Sequence, residues 1–251
     1  EKIMVYGDYD VDGCTAVALV YKFLRQIGHK NLMFYIPDRY TEGYGVSIKA
    51  IDYAQRKGVK LIIALDCGIK ATEKVAYAKS KGIDFIVCDH HLPGDTIPDA
   101  VAVLDPKRVD CGYPFKELSG CGVGFKMLQG YCRYKGLPFS EVECLLDLVV
   151  VSIASDIVPI MGENRILAYH GLRQLNANPS IGLKAIIDSA SVDGPEMAIL
   201  RKILYMFEGK ENNVRIRVLD TGKLIGTTCD LHTSLVCDLE ERFGKENVVV
   251  K

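Results

Sequence analysis

Short apolar runs alternate with longer amphipathic segments over the first part of the chain. Five of these runs predict strands, at residues 2–6, 31–36, 59–66, 83–89 and 100–105. Between them, apolar positions recur at helical spacing and predict helices at residues 15–28, 47–58 and 71–82. Strands that are apolar throughout and alternate with helices are typical of a parallel sheet covered on both faces. We therefore expect a doubly wound, mainly parallel five-stranded α/β sheet over about residues 1–110.

The pattern changes after the predicted sheet. Helical periodicity continues in three segments, at residues 122–136, 141–155 and 164–176. Residues 1–176 thus form one predicted domain, with a sheet core at about 1–110 and a helical part at about 119–176. Residues 177–251 read as a helical connector and a small α+β tail. The tail is predicted to contain two strands within 213–232, a helix at 234–244 and a last strand at 247–251.

Composition says more about the cellular compartment of the protein than about its binding partner. The chain has 251 residues and a formal net charge of −1, so a polyanion must be held by a local basic patch or by bound metal. Nine cysteines without a CxxC pair favour a reducing, cytoplasmic setting over a disulfide framework. There is no signal peptide and no apolar run long enough for a membrane span, so no membrane role is expected. Because the chain starts inside a strand-like run, we expect its natural N-terminal segment to be missing.

Acidic and histidine side chains cluster where predicted strands end. The clusters are Asp8, Asp10 and Asp12 just after the first strand, Asp66 as the last residue of the third, and Asp89 as the last residue of the fourth, followed by His90 and His91. The carboxyl ends of parallel strands meet at one edge of a sheet, which is where ligands bind in such folds. A single aspartate there is explained as a helix N-cap, but one helix needs only one cap. So many carboxylates would repel one another unless a divalent cation were bound between them.

The ligand types indicate which cation and which chemistry. Carboxylates with imidazole and no thiolate suit Mn²⁺ or Mg²⁺ better than zinc. Two ions about 3.5–4 Å apart and bridged by an aspartate would serve in-line displacement at phosphorus. In a turn the adjacent side chains of His90 and His91 point in different directions, so one can bind the metal while the other faces the substrate and stabilises charge on a phosphorane. Hydrolysis of a phosphoester or phosphoanhydride is therefore the leading chemistry.

The order of the motifs resembles the DHH phosphoesterase superfamily and, within it, the RecJ-type single-stranded-DNA-specific exonucleases. Four ordered motifs support this resemblance, namely GDYDVDG (7–13), DCG (66–68), DHH (89–91) and SIASDIVPI (152–160). Three further segments are similar to the RecJ type, namely PDRYTEGYG (37–45), LSGCGVGFK (118–126) and ENRIL (163–167). Together they imply that residues 1–176 form a DHH catalytic domain. Proteins of the RecJ type continue into a second conserved domain and an OB-type domain that are not recognisable here, so we expect the chain to be a catalytic-core fragment.

The resemblance implies a Mn²⁺- or Mg²⁺-dependent exonuclease that degrades single-stranded DNA from 5′ to 3′ in recombination and repair. Its partners would be single-stranded DNA and repair or single-strand-binding proteins. By position, the implied metal ligands are Asp10, Asp12, Asp66 as the bridge, His90 and Asp156. Asp8, Asp89 and His91 are implied to surround these ligands or to meet substrate, with Asp8 and Asp89 also candidate ligands.

The sequence leaves other substrates and another function class open. Superfamily members that cleave short oligonucleotides, cyclic dinucleotides or other small phosphoesters usually have a histidine four residues before the first DxD aspartate. This chain has Tyr6 there, which favours the DNA exonuclease. The third alternative is a non-catalytic binding module of a repair complex, in which the acidic cluster serves only as a scaffold.

Substrate-binding candidates come from two kinds of segment. Gly120 and Gly122 precede a helix, where backbone N–H groups could meet a phosphate, and tight packing of a helix start explains them equally well. Arg39 and Arg165 lie in family-like motifs and are expected to contact a DNA backbone.

Overall fold

A computed structural model of the chain describes residues 1–189, 212–217 and 224–229. The chain divides into two compact units, Glu1–Gln174 and Leu175–Lys251, and each is described by itself. Within the described residues, none of the helices combines the length and apolar character needed to cross a bilayer.

The first unit is built on a five-stranded parallel sheet, as the sequence predicts. Its strands are β1 (Ile3–Gly7), β2 (Leu32–Tyr35), β3 (Leu61–Leu65), β4 (Asp84–Cys88) and β5 (Ala102–Leu104). They lie in the order β2-β1-β3-β4-β5. From β1 the chain therefore moves to one side of the sheet to form β2, and then crosses to the other side to form β3. The point where the direction reverses lies between the carboxyl ends of β1 and β3. A doubly wound sheet is expected to bind its ligand at that place.

Three helices connect the first four strands, namely α1 (Val11–Gln26), α2 (Ile48–Arg56) and α3 (Thr72–Ser80). Side chains of a strand alternate between the two faces of a sheet. On one face, the strand residues Met4, Ile62 and Phe85 form a buried cluster with Ile51 of α2 and Val75 of α3. The apolar character of the predicted strands is thus explained by burial on both faces.

The second face of the sheet is contacted by α1 and by the first helix of the helical segment. This segment contains α4 (Gly120–Lys135), α5 (Ser140–Glu143), α6 (Leu146–Asp156) and α7 (Gly162–Ala177). α1 packs against both α4 and α6. A Cβ at Gly124 of α4 would lie 3.3 Å from Leu65 and 3.6 Å from Val20, so this glycine allows α4 to approach both the sheet and α1.

The predicted helix at 141–155 differs from the structure, which divides it into α5 and α6 at Cys144 and Leu145. The Asp147 carboxylate accepts a hydrogen bond from the Leu148 N–H at 2.9 Å just after the break. Such local side-chain bonds compete with the helical ladder, and periodicity does not reveal them.

The second unit contains a short helix and a hairpin. α8 spans Ile181–Ser189, and β6 (Asn212–Arg217) pairs antiparallel with β7 (Leu224–Cys229), so two strands do form in the predicted tail. The helix predicted at 234–244 and the strand predicted at 247–251 lie outside the described residues.

Candidate metal centre

Four aspartates form a row at the carboxyl edge of the sheet. The last paired residues of the strands are in register as Gly7, Leu65, Cys88 and Leu104. The next residues are Asp8, Asp66, Asp89 and Asp105, each at most 2% exposed. The N–H groups of Asp66 and Asp89 donate to carbonyls of the neighbouring strands at 2.9 Å and extend the sheet ladder by one position. Asp105 ends the fifth predicted strand but is not among the predicted site residues.

His90 directs one ring nitrogen into this edge. Its Nδ1 lies 3.0 Å from the carbonyl oxygen of Leu118, which can only accept, so Nδ1 bears a proton and Nε2 is the ring nitrogen that faces the carboxylates. Nε2 lies 3.1 Å from Asp66 Oδ1, 3.6 Å from Asp156 Oδ2 and 3.8 Å from Asp12 Oδ2. The structure thus brings together one imidazole and three carboxylates from distant parts of the chain.

Four buried atoms at this edge lack a hydrogen-bond partner among the described residues, namely His90 Nε2, Asp66 Oδ1, Asp8 Oδ2 and Asp105 Oδ2. Unpaired buried polar atoms are rare in folded proteins and need an explanation. Burial raises the pKa of Asp66, and the nearby charges of Asp12 and Asp10 raise it further. Burial also raises the pKa values of Asp12 and Asp156. A divalent cation would pair these atoms and compensate the crowded negative charge.

Asp12 is held by the start of α4 and by α6. Its Oδ2 accepts from the Gly120 N–H at 2.7 Å, and its Oδ1 accepts from the Cys121 N–H at 2.8 Å and from the Ser152 hydroxyl at 2.7 Å. The partial positive charge of a helix N-terminus also favours the carboxylate.

The glycines at the start of α4 serve close packing. A Cβ at Gly120 would lie 2.5 Å from Asp66 Oδ1, and the Gly122 N–H donates to the Ser119 hydroxyl at 3.1 Å. Because the N–H groups of Gly120 and Gly122 both donate within the protein, the geometry favours the tight helix start over phosphate binding by these two groups.

Asp10 lies at the start of α1. It is the N-cap residue of that helix, and its Oδ1 accepts from the Gly13 N–H at 2.8 Å. Two groups of ligand atoms within 4.8 Å of one another occur among the described residues, Asp66 with His90 and His91, and Asp12 with His90 and Asp156. Asp10 belongs to neither group, although its charge acts on the pKa values of Asp66 and Asp156.

Asp89 orders the turn that holds both histidines. Its Oδ1 accepts from the backbone N–H groups of His90 and His91 and lies 2.7 Å from His91 Nδ1, while its Oδ2 accepts from the Ile69 N–H at 2.8 Å. Burial raises the pKa of Asp89, but these hydrogen bonds outweigh burial and leave it lowered. The bond to Asp89 raises the pKa of His91, whose Nε2 lies 2.9 Å from the Tyr44 hydroxyl. Both oxygens of Asp89 and both ring nitrogens of His91 therefore have protein partners.

Asp8 and Asp156 differ in their surroundings. Asp8 is fully buried, its Oδ1 accepts from the Tyr9 N–H at 2.7 Å, and burial raises its pKa. The side chain of Asp156 is 30% exposed and lies at the end of α6. The next residue, Ile157, has a φ of 57°, so the helix stops directly after this carboxylate.

The predicted DNA contacts lie at the surface. The Arg39 guanidinium lies 4.5 Å from the centre of the Tyr9 ring, Tyr9 is edge-on to Tyr44, and Tyr44 is edge-on to His91. This row connects Arg39 with the rim of the centre. Arg165 is exposed near the start of α7.

Sequence reasoning missed several supporting side chains. Ser119 and Ser152 are buried beside Asp12, and their hydroxyl oxygens are 2.6 Å apart. The Asn164 side chain donates to the carbonyl oxygens of Glu117 at 2.6 Å and Pro159 at 3.1 Å, which lie in the loops next to Leu118 and Asp156. All three lie inside the motif segments, and no other feature of the sequence indicates that they support the site.

Comparisons with known proteins give a family and several relatives. The sequence profile of the DHH family, N-terminal domain, matches residues 2–153. The single-stranded-DNA-specific exonuclease RecJ of Salmonella typhimurium is 40% identical over 208 residues, which are 78% of this chain and 36% of the relative. The RecJ of Bacillus subtilis is 42% identical over 193 residues, 77% of this chain and 24% of the relative. This chain thus spans about a third or less of the length of these relatives.

A solved structure is also similar. The crystal structure of exonuclease RecJ bound to manganese is 31% identical, with a TM-score of 0.70 over 80% of this chain and 51% of that chain.

Proposed function

This chain belongs to the DHH family, and on that premise we propose that it is a metal-dependent phosphodiesterase that degrades single-stranded DNA from the 5′ end in recombination and repair. The observation that carries the proposal is the convergence of His90 Nε2 with carboxylates of Asp12, Asp66 and Asp156. The similarity to single-stranded-DNA-specific exonucleases supports the substrate, and the implied 5′-to-3′ direction follows the resemblance of the motifs.

We assign the cation, Mn²⁺ or Mg²⁺, to His90 Nε2, Asp12, Asp66 and Asp156, with Asp10 completing the set. The unpaired atoms of His90 and Asp66 and a donor set of carboxylates with one imidazole fit such an ion. Because His90 Nε2 can bind only one ion, the protein ligands of a second ion would have to be carboxylates. Asp66 would then be the ligand that both ions share. Bound divalent cations would lower the pKa of a coordinated water and neutralise charge on the phosphodiester. The manganese in the similar exonuclease structure supports this choice.

Asp8 and Asp89 have different parts in this proposal. The free Oδ2 of Asp8 makes it a further ligand candidate at the first strand. Asp89, whose oxygens are used by His91 and by backbone N–H groups, acts by orienting the histidines.

His91 and two arginines are assigned to the substrate. The raised pKa of His91 increases the share of imidazolium near neutral pH, and a positive ring at the rim would stabilise charge on the phosphorane. Arg39, which lies over Tyr9, and the exposed Arg165 would pair with backbone phosphates. Protein partners would be repair or single-strand-binding proteins. The free thiols of the described cysteines are consistent with the reducing cytoplasm that we propose as the setting.

The test compares His90→Gln with the matched control His170→Gln, since His170 lies on the exposed surface of α7. Both are assayed with Mn²⁺ on 5′-labelled and 3′-labelled single-stranded oligonucleotides and on a duplex. We expect the native chain and the control to release nucleotides from 5′ ends of single strands, and His90→Gln to be inactive. Equal activity of His90→Gln and the control would refute the proposed site.

The same assay separates the alternative substrates. Faster hydrolysis of dinucleotides, cyclic dinucleotides or 3′-phosphoadenosine phosphate than of long single strands would overturn the DNA assignment but keep the chemistry. Absence of Mn²⁺ binding in calorimetry, together with retained binding of single-stranded DNA, would instead make the chain a binding module.

A further inference from the structure

The two oxygens of Asp12 are not equally available. A carboxylate offers about four acceptor positions, two on each oxygen. Oδ1 accepts from the Cys121 N–H and from the Ser152 hydroxyl, which fills both of its positions. Oδ2 accepts only from the Gly120 N–H, which leaves one position free. That oxygen is also the one that lies 3.8 Å from His90 Nε2.

The direction of the hydrogen bonds between Ser119 and Ser152 is fixed by their other partners. The Ser119 oxygen accepts from the Gly122 N–H at 3.1 Å, and the Ser152 hydroxyl proton is used on Asp12 at 2.7 Å. The 2.6 Å contact between the two serines therefore has Ser119 as the donor and Ser152 as the acceptor. A continuous chain of donors leads from the first turn of α4 through both hydroxyls to Asp12 Oδ1. Both serines are fully buried, so water does not compete for these bonds.

We propose that Ser152, supported by Ser119, is a positioning residue that restricts Asp12 to binding a cation through Oδ2 alone. The inference rests on the proposed function, because it concerns the same cation. A carboxylate restricted to one oxygen suits a small octahedral ion such as Mg²⁺ or Mn²⁺. Ca²⁺ takes six to eight oxygens at longer distances and often binds both oxygens of one carboxylate. The serine pair thus makes the centre selective against Ca²⁺.

A purely structural role of the serines predicts a different result. Two buried hydroxyls that only satisfy each other would lower the stability of the chain when removed, but they would change the affinities for all divalent cations in proportion. Selection through Asp12 predicts that the ratio of Mn²⁺ affinity to Ca²⁺ affinity changes. This ratio is independent of DNA and of enzymatic turnover.

The test measures Mn²⁺ and Ca²⁺ dissociation constants of the full chain by calorimetry for Ser152→Ala and for the matched control Ser155→Ala. Ser155 is on the same helix, and its hydroxyl donates to the Ser152 carbonyl oxygen, away from Asp12. Changes to groups that orient metal ligands typically cost 10–100-fold in affinity. We expect Ser152→Ala to weaken Mn²⁺ binding by about tenfold or more while Ca²⁺ binding stays equal or strengthens. Ser155→Ala should leave the ratio unchanged.

Two further variants keep the test decisive. Ser152→Cys retains the size and a weak donor, so an intermediate ratio is expected even if the alanine variant does not fold. Ser119→Ala removes the N-cap of α4 and should lower the melting temperature more than Ser155→Ala, yet it should shift the ratio less than Ser152→Ala, whose own donor to Asp12 is lost.

The outcomes separate this inference from the proposed function. If the native chain binds Mn²⁺ and the ratio in Ser152→Ala and Ser152→Cys equals that in Ser155→Ala, the positioning role is refuted and the metal centre stands. If the native chain binds no Mn²⁺, the proposed metal-dependent function fails, and the inference fails with it.

Discussion

Gly120→Ala tests how closely α4 approaches the metal centre. A Cβ at this position would lie 2.5 Å from both Cβ and Oδ1 of Asp66, well inside contact distance. Neither group can move freely, because Asp66 follows directly on β3 and the Gly120 N–H donates to Asp12. Forcing an extra methyl group into such a packed position costs about 1–3 kcal/mol. We therefore expect a loss of this size in the free energy of unfolding, together with weaker Mn²⁺ binding.

Gly130→Ala is the matched control on the same helix. A Cβ there meets nothing within 4 Å, so the better helix propensity of alanine should stabilise the chain by about 0.5–1 kcal/mol. The assay is thermal unfolding followed by circular dichroism, with and without Mn²⁺. At about 2–4 °C per kcal/mol for a chain of this size, the two variants should differ clearly in melting temperature and in opposite directions from the native chain. If Gly120→Ala melts at the native temperature and is stabilised by Mn²⁺ as the native chain is, the argument from close approach is refuted.

Three other predictions concern the surroundings of the centre. Asn164→Ala leaves two loop carbonyls without their donor, so it should lower the free energy of unfolding by about 1–3 kcal/mol. It should also weaken Mn²⁺ binding measured by calorimetry, and unchanged binding would contradict a role of Asn164 in holding the loops. Burial raises the pKa of Asp105 from 3.8 to about 6. Between pH 3.8 and about pH 6, Asp105 therefore holds a proton in the folded chain but not in the unfolded chain. Its contribution to stability falls as pH rises through this range and is lowest above about pH 6. Asp105→Asn should thus unfold at higher urea than the native chain at pH 7 but not at pH 4, and an equal difference at both values would refute the assignment. Saturating Mn²⁺ should raise the melting temperature of the native chain and of the remote control Asp52→Asn but not of Asp66→Asn, since a ligand that binds only the folded state stabilises it. A rise in Asp66→Asn would remove Asp66 from the ligand set.

The sheet could be predicted from the sequence because its strands are buried on both faces and therefore continuously apolar. The family resemblance seen in the ordered motifs is confirmed by the match to residues 2–153 and by the RecJ relatives. The meeting of Asp66 with His90 followed from the rule that parallel strands end at one edge, and the structure places their side-chain atoms 3.1 Å apart.

The remaining parts depend on packing that periodicity does not encode. Ser152 reaches Asp12 only because α6 packs on α1, and the two residues are 140 positions apart in the chain. Asp105 could have been included, since it also ends a predicted strand, but it lies in none of the motif segments that carry the family resemblance. The break between α5 and α6 at Cys144 and Leu145 interrupts a segment whose apolar periodicity is continuous, so the pattern alone does not reveal it.

The row of aspartates has a consequence for how this chain tolerates insertions. The position of each carboxylate depends on the register of its strand, because each aspartate directly follows one of the paired residues Gly7, Leu65, Cys88 and Leu104. Inserting or deleting one residue inside β3 or β4 would turn the following aspartate to the opposite side of the strand. Extra residues in the turns before these strands, at 57–58 and 81–82, would lengthen the opposite edge of the sheet only. Length variation in this domain should therefore accumulate at that opposite edge, where a tag or a fused domain could be inserted without disturbing the centre.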